Sequence, residues 1–195
     1  TRIRGYLKSR GWNVWQGADG DANVRTLAQV KGDGFFYINA HGGLARNYLA
    51  PPGPVDSFIY TILTSQFADG VPDQAMQASL STGPRLVYGT AFNGYTVRVE
   101  GVDVPLSARY YGITQYFVSD FMQFEADSVV FINVCGSADA GMAAAFHSAG
   151  AAVYLGWDGV VTVEGAAFKS APYFVDRMVG AAPIATSTAS QSTVV

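Results

Sequence analysis

Two short apolar runs dominate the hydropathy pattern: Phe35 to Ile38, and Val129 to Ile132. Each is too short for a helix and places apolar side chains on both faces, as buried parallel strands do. Strands are predicted over 35–40 and 128–134, the second a central one. Between and around them, apolar positions recur at helical spacing. Arg2 to about Gly11 reads as a basic amphipathic helix. Ala22 to Lys31 reads as a second helix, with Val24, Leu27, Ala28 and Val30 on one side and a stop at Gly32 to Gly34. Asn13 to Gln16 reads as a short strand, followed by a turn from Gly17 to Asp21. Further on, the pattern predicts helices over 114–124, 139–149 (ended by Gly150) and 165–179, with a strand over 151–155.

The stretch from about Leu44 to Leu106 breaks this rhythm. Pro51 to Pro54 is a turn cluster, and Asp73 to Leu80 reads as a short helix. Ser57 to Thr64, Arg85 to Thr90 and Tyr95 to Glu100 are strand-like. Val97 to Val104 alternates around Gly101, the mark of a hairpin. The organisation expected is one α/β domain over 1–180, doubly wound with a mostly parallel sheet, helices on both faces and a β-rich insertion at about 44–106. Residues 181–195, rich in Ala, Ser and Thr, read as a linker or the start of a following segment. A doubly wound domain would place a strand before the first helix. Its apparent absence, together with Thr1 in place of methionine, suggests an excised or processed chain. Thr1 as an N-terminal nucleophile would require a strand at the very start, where Arg2 to Arg10 reads as helix.

Composition narrows the functional classes. At 195 residues, 49% hydrophobic and 13% aromatic, the chain is long and apolar enough to bury a core. Charged residues make up 14% and the net charge is -3, so nucleic acid and anionic membrane are not expected partners. No apolar run approaches the roughly 18 residues of a membrane span, and no signal peptide opens the chain. One cysteine excludes an intramolecular disulfide and a multi-thiolate zinc site. Scarce lysine (Lys8, Lys31, Lys169) with abundant Gly, Ala, Ser, Thr and Tyr suggests an exported bacterial protein, extracellular or in the cell envelope.

The ends of the two apolar runs carry the candidate chemistry. The first leads into Asn39-Ala40-His41-Gly42-Gly43, the second into Asn133-Val134-Cys135-Gly136-Ser137. Open α/β sheets bind ligands outside the carboxyl ends of their strands. A thiol and an imidazole meeting there make a nucleophile and its base, because only the thiolate attacks. Gly42 and Gly43 leave room for a substrate backbone, and their N–H groups are candidate oxyanion donors, with the N–H of Cys135 as a second. Loss of one such donor typically costs about 100- to 1,000-fold in rate.

Plainer readings stand beside these. A lone cysteine on a core strand is often inert packing, and His41 can serve as a cap or core imidazole. His147, within the Ala-rich helix, reads as a helix-end histidine. Asn39 and Asn133 form a matched pair that can tie down loops, and Asp158 can be a turn or cap residue. Asp19, Asp21 and Asp33 do not have the spacing of an EF-hand loop, so no metal is assigned. A hydrolase elbow wants glycine where Asn133 and Ser137 stand. No Walker loop or dinucleotide fingerprint is present.

Ile38 to Gly43, followed by Val130 to Ser137, resembles the caspase-like cysteine peptidases: clostripain, gingipains, legumain, caspases and the related CHAT domains. Their pattern is an apolar strand ending in His-Gly, then one ending in the nucleophilic cysteine, often with serine two residues on. Tyr111 to Thr114, the helix after it, and Ser128 to Ser137 are most similar to the clostripain-type bacterial branch. The resemblance spans about 12–161, omitting the insertion. It implies a thiol endopeptidase that hydrolyses polypeptide substrates, with Cys135 as nucleophile, His41 as general acid/base, and Gly42 and Cys135 forming the oxyanion hole. It also implies a substrate pocket lined by Asn133 and flanked by Trp157. Relatives that select Arg or Lys tend to carry an acid where Asn133 stands. The chain departs from them there, while Asp158 beside an aromatic wall would suit a guanidinium. Some relatives bind calcium; otherwise no cofactor is implied, and another fragment of the same precursor would be a partner after zymogen processing. The alternative is a catalytically idle caspase-like binding or regulatory module, its cleft plugged by the insertion.

Overall fold

The computed structural model describes residues 2–46, 58–68, 85–99 and 102–180. Helix α1 (Arg2–Ser9) buries Leu7 and leaves its basic residues exposed. The strand predicted over 13–16 is irregular backbone instead. Among the described residues it has no ladder partner, and Trp15 is 71% exposed. The helix expected over 22–31 shrinks to one turn, α2 (Val24–Leu27), capped by Asn23, whose side chain accepts from the Thr26 N–H at 3.0 Å. Strand β1 (Lys31–Asn39) already begins at Lys31 and takes in the glycines read as a helix stop. Cross-strand pairing overrides the local propensity here, with register shifts absorbing Gly32 and Gly34.

The interrupted stretch forms a second sheet. Strands β2 (Gly42–Arg46), β3 (Phe58–Phe67), β4 (Leu86–Val99) and β5 (Val102–Thr114) are antiparallel in the order β2-β3-β5-β4. The predicted hairpin is present, with Val97 opposite Val104 and Val99 opposite Val102. This sheet starts at Gly42 and ends at Thr114, so it reaches beyond both ends of the 44–106 stretch. The turn at Pro51 to Pro54, the short helix at 73–80 and the linker at 181–195 lie outside the described residues.

The α/β rhythm then resumes with α3 (Gln115–Phe121), β6 (Gln123–Asn133), α4 (Ala140–Ser148) and β7 (Val153–Leu155). Asp139 caps α4 by accepting from the Met142 N–H at 2.8 Å. The helix expected over 165–179 is two pieces, a wide π-helical stretch (Val163–Ser170) and α5 (Ala171–Met178). The change of winding falls beside Pro172, which has no N–H to continue a ladder.

Strands β1, β6 and β7 form a parallel sheet in the order β1-β6-β7, with β6 central as expected. The two faces of β6 are covered differently. Val130 and Ile132, both fully buried, join a core with Phe117, Met142 and Phe146 from the helices and Tyr60, Ile62 and Ile113 from the antiparallel sheet. Burying each such side chain contributes about 1.5–3 kcal/mol. On the other face Phe131 meets Phe174 of α5 at 5.4 Å and Tyr37 at 5.7 Å between ring centroids. The fold is therefore mixed α/β, a helix-covered parallel sheet sharing its core with an antiparallel one. No described helix is long and apolar enough to cross a membrane.

Candidate active site

Asn39 and Asn133 are register partners at the carboxyl ends of β1 and β6. His41 and Cys135 each follow two residues later, so the parallel pairing brings both chain positions to the same edge of the sheet. The His41 side chain is exposed and the Cys135 residue part-buried. Three N–H groups fix the Cys135 loop against the chain that follows Trp157. Gly136 donates to the Gly159 carbonyl at 2.8 Å, Ala138 donates to the Trp157 carbonyl at 2.8 Å, and Val161 donates to Sγ of Cys135 at 3.4 Å. Gly136 has φ 63°, a left-handed turn that a side chain would strain. Among the described residues no backbone carbonyl takes the Cys135 N–H.

The antiparallel sheet supplies the rest of the frame. Leu63 N–H donates to the His41 carbonyl at 2.8 Å while Gly42 stands opposite Ile62. That geometry marks Gly42 and Ile62 as a non-hydrogen-bonded pair, so the Gly42 N–H points away from β3. A Cβ on Gly42 would lie 2.4 Å from Cγ1 of Val134 and 2.6 Å from the Thr61 carbonyl oxygen, which is why this position holds glycine. Tyr60 donates its hydroxyl to the Cys135 carbonyl at 2.7 Å, and Tyr154 donates to the Ser137 carbonyl at 2.5 Å. Burial, and after it the nearby Tyr154, Cys135 and Asp139, pushes the Tyr60 phenol well above its ordinary range. Burial first and Asp139 second do the same to Tyr154. Both stay neutral donors. Sequence reasoning passed over Tyr60, Tyr154 and Val161, because their roles rest on contacts across elements that no spacing rule encodes.

The residues expected to line a pocket divide into a buried network around Asn133 and Trp157 and the exposed Asp158. Asn133 is 1% exposed, and its amide is fully engaged: Nδ2 donates to Asn39 Oδ1 at 2.8 Å and to the Tyr37 hydroxyl at 3.3 Å, while Oδ1 accepts from Trp157 Nε1 at 2.8 Å. Burial raises the Tyr37 phenol to about 12, with the Asn133 bond pulling the other way. Asn133 thus acts on its surroundings through Trp157, whose ring also lies 6.2 Å from that of Phe131. Ser137, fully buried, donates to the Ile132 carbonyl at 2.7 Å and accepts from the Trp157 N–H at 2.9 Å. Asp158 is exposed on the bend after Trp157. His147 lies apart from this group at the end of α4, its Nδ1 2.8 Å from the Ala151 carbonyl. Among the described residues no three His, Cys, Asp or Glu side chains converge as a metal site.

Comparison with known proteins returns nothing: no protein-family model, no curated protein and no solved structure matches the chain.

Proposed function

We propose that this chain is a caspase-like cysteine peptidase, nearest the clostripain-type branch. The observation that carries the reading is the Asn39–Asn133 register, which sends His41 and Cys135 to one edge of neighbouring parallel strands. In the proposed reaction the Cys135 thiolate attacks a peptide carbonyl and forms a C–S bond. The resulting oxyanion takes hydrogen bonds from the N–H groups of Gly42 and Cys135. His41 donates a proton to the departing amine as the C–N bond breaks, leaving a thioester. His41 then takes a proton from water, which attacks the thioester and releases the acid and the thiolate. Trp157, held by Asn133 and Ser137, walls the substrate pocket, with Asp158 at its rim. Two N–H groups with no backbone partner among the described residues, and an exposed imidazole, support this chemistry.

The test is cleavage of a peptide library by the wild type and by Cys135→Ala and His41→Ala. Each variant is expected to lose about 1,000-fold or more in kcat/KM, and iodoacetamide is expected to label and inactivate the wild type. Full cleavage by either variant ends the proposal.

A second reading, an idle caspase-like binding module, is favoured by one contact. The Val161 peptide sits against the thiol, with its N–H at 3.4 Å and its carbonyl at 3.7 Å from Sγ. A wild type that binds peptides without cutting them would select that reading.

A further inference from the structure

Strand β3 reaches both halves of the proposed dyad. Its Leu63 N–H holds the His41 carbonyl at 2.8 Å, and its Tyr60 hydroxyl holds the Cys135 carbonyl at 2.7 Å. These anchors are three residues apart on one rigid strand, which is itself paired on both sides, to β2 and β5. We infer that Tyr60 is a positioning residue: through its hydroxyl, β3 of the antiparallel sheet sets the separation and orientation of Cys135 relative to His41. The inference rests on the peptidase reading and gives the antiparallel sheet a part in it.

Three features support the assignment. Tyr60 is 5% exposed, so its hydroxyl has little access to water as an alternative partner. Its ring packs 3.7 Å from where a Cβ on Gly136 would stand, so it braces the turn as well as bonding it. Fixing the Cys135 carbonyl also fixes the peptide plane shared with the Gly136 N–H, which donates to Gly159 on the far side. Hydroxyl, carbonyl, N–H and carbonyl form one chain of hydrogen bonds from β3 to the segment that follows Trp157.

The experiment compares Tyr60→Phe with a matched control, Thr64→Val. Thr64 is also a buried β3 residue, donating to the Tyr111 carbonyl at 2.8 Å, but its bond lies within the antiparallel sheet. In Tyr60→Phe, kcat is expected to fall about 100-fold with KM little changed, the size of effect that small misplacements produce. Amide exchange at Gly136, Ser137 and Ala138 is expected to rise about tenfold, while the β3–β5 ladder keeps its protection. Thr64→Val should show neither effect. Replacing Tyr60 with 4-aminophenylalanine, which keeps a donor at the ring tip, should restore both. Unchanged exchange in Tyr60→Phe, or an equal loss of kcat in Thr64→Val, overturns the inference. If the wild type cleaves no peptide, the peptidase reading falls, and the exchange result alone decides whether Tyr60 holds the turn.

Discussion

Asn133 donates to Asn39 across the ends of two parallel strands at 2.8 Å and accepts from the Trp157 indole, also at 2.8 Å. One buried amide therefore links the strand that leads to His41, the strand that leads to Cys135, and the proposed pocket wall. Asn133→Ala should remove both ties, together with the bond to the Tyr37 hydroxyl, and leave the indole N–H without its partner. We expect a loss of about 2–3 kcal/mol in urea unfolding, a change in tryptophan emission, and weaker peptide cleavage. An Asn133→Ala protein as stable as the wild type would mean that the network carries little energy.

Gly42 is placed where no side chain fits, with Val134 on one side and the Thr61 carbonyl on the other. Gly42→Ala should destabilise the protein by about 1–3 kcal/mol through overpacking. Trimming Val134 to alanine removes the nearest obstacle and leaves the Thr61 carbonyl oxygen, with the Tyr60 hydroxyl 3.2 Å from where the Cβ would stand. The double variant should therefore lose less than the sum of the singles, a coupling measurable in a double-mutant cycle. Strict additivity would show that the Val134 methyl is not the obstacle.

Ser137 stands two residues after Cys135 with both of its hydrogen bonds internal. It is a strut between β6 and Trp157. Ser137→Ala should cost about 1–3 kcal/mol, the usual penalty for orphaned buried partners, while iodoacetamide labelling of Cys135 persists. Hydrolysis lost in Ser137→Ala but kept in Cys135→Ala would make the serine the nucleophile and displace the thiol from that role.

The residues that the sequence singled out and those it passed over differ in kind. Phe35 to Ile38 and Val129 to Ile132 announced themselves because a doubly covered parallel strand needs apolar residues on both faces. His41 and Cys135 were legible because each closes such a run. The Val97 to Val104 hairpin was legible from alternation around Gly101. Lys31 to Gly34 joined β1 because pairing outweighed propensity, whereas Asn13 to Gln16 found no strand partner among the described residues. Tyr60, Tyr154 and Val161 left no trace in the pattern. Their contacts join segments distant in the chain, and tyrosine or valine in a strand needs no function to explain it.

Asp33 gives a pH-dependent prediction. Partial desolvation, and after it the carboxylate of Glu125, raises the Asp33 acid above 3.8 in the folded protein. The folded state therefore binds this proton more tightly than the unfolded chain. Stability falls as pH climbs from 3.8 through the raised value, and above that value the loss is complete. Asp33→Asn removes the charge and with it this loss. The variant should be more stable than the wild type at neutral pH, with the advantage closing as pH drops below 3.8, where wild-type Asp33 is protonated in both the folded and the unfolded state. Glu125→Gln should recover a smaller part, since Glu125 is the lesser cause, and should add little in the Asp33→Asn background. Thermal unfolding followed across pH reads all three. An Asp33→Asn protein less stable than the wild type at neutral pH would show that the carboxylate makes a favourable contact outweighing its desolvation.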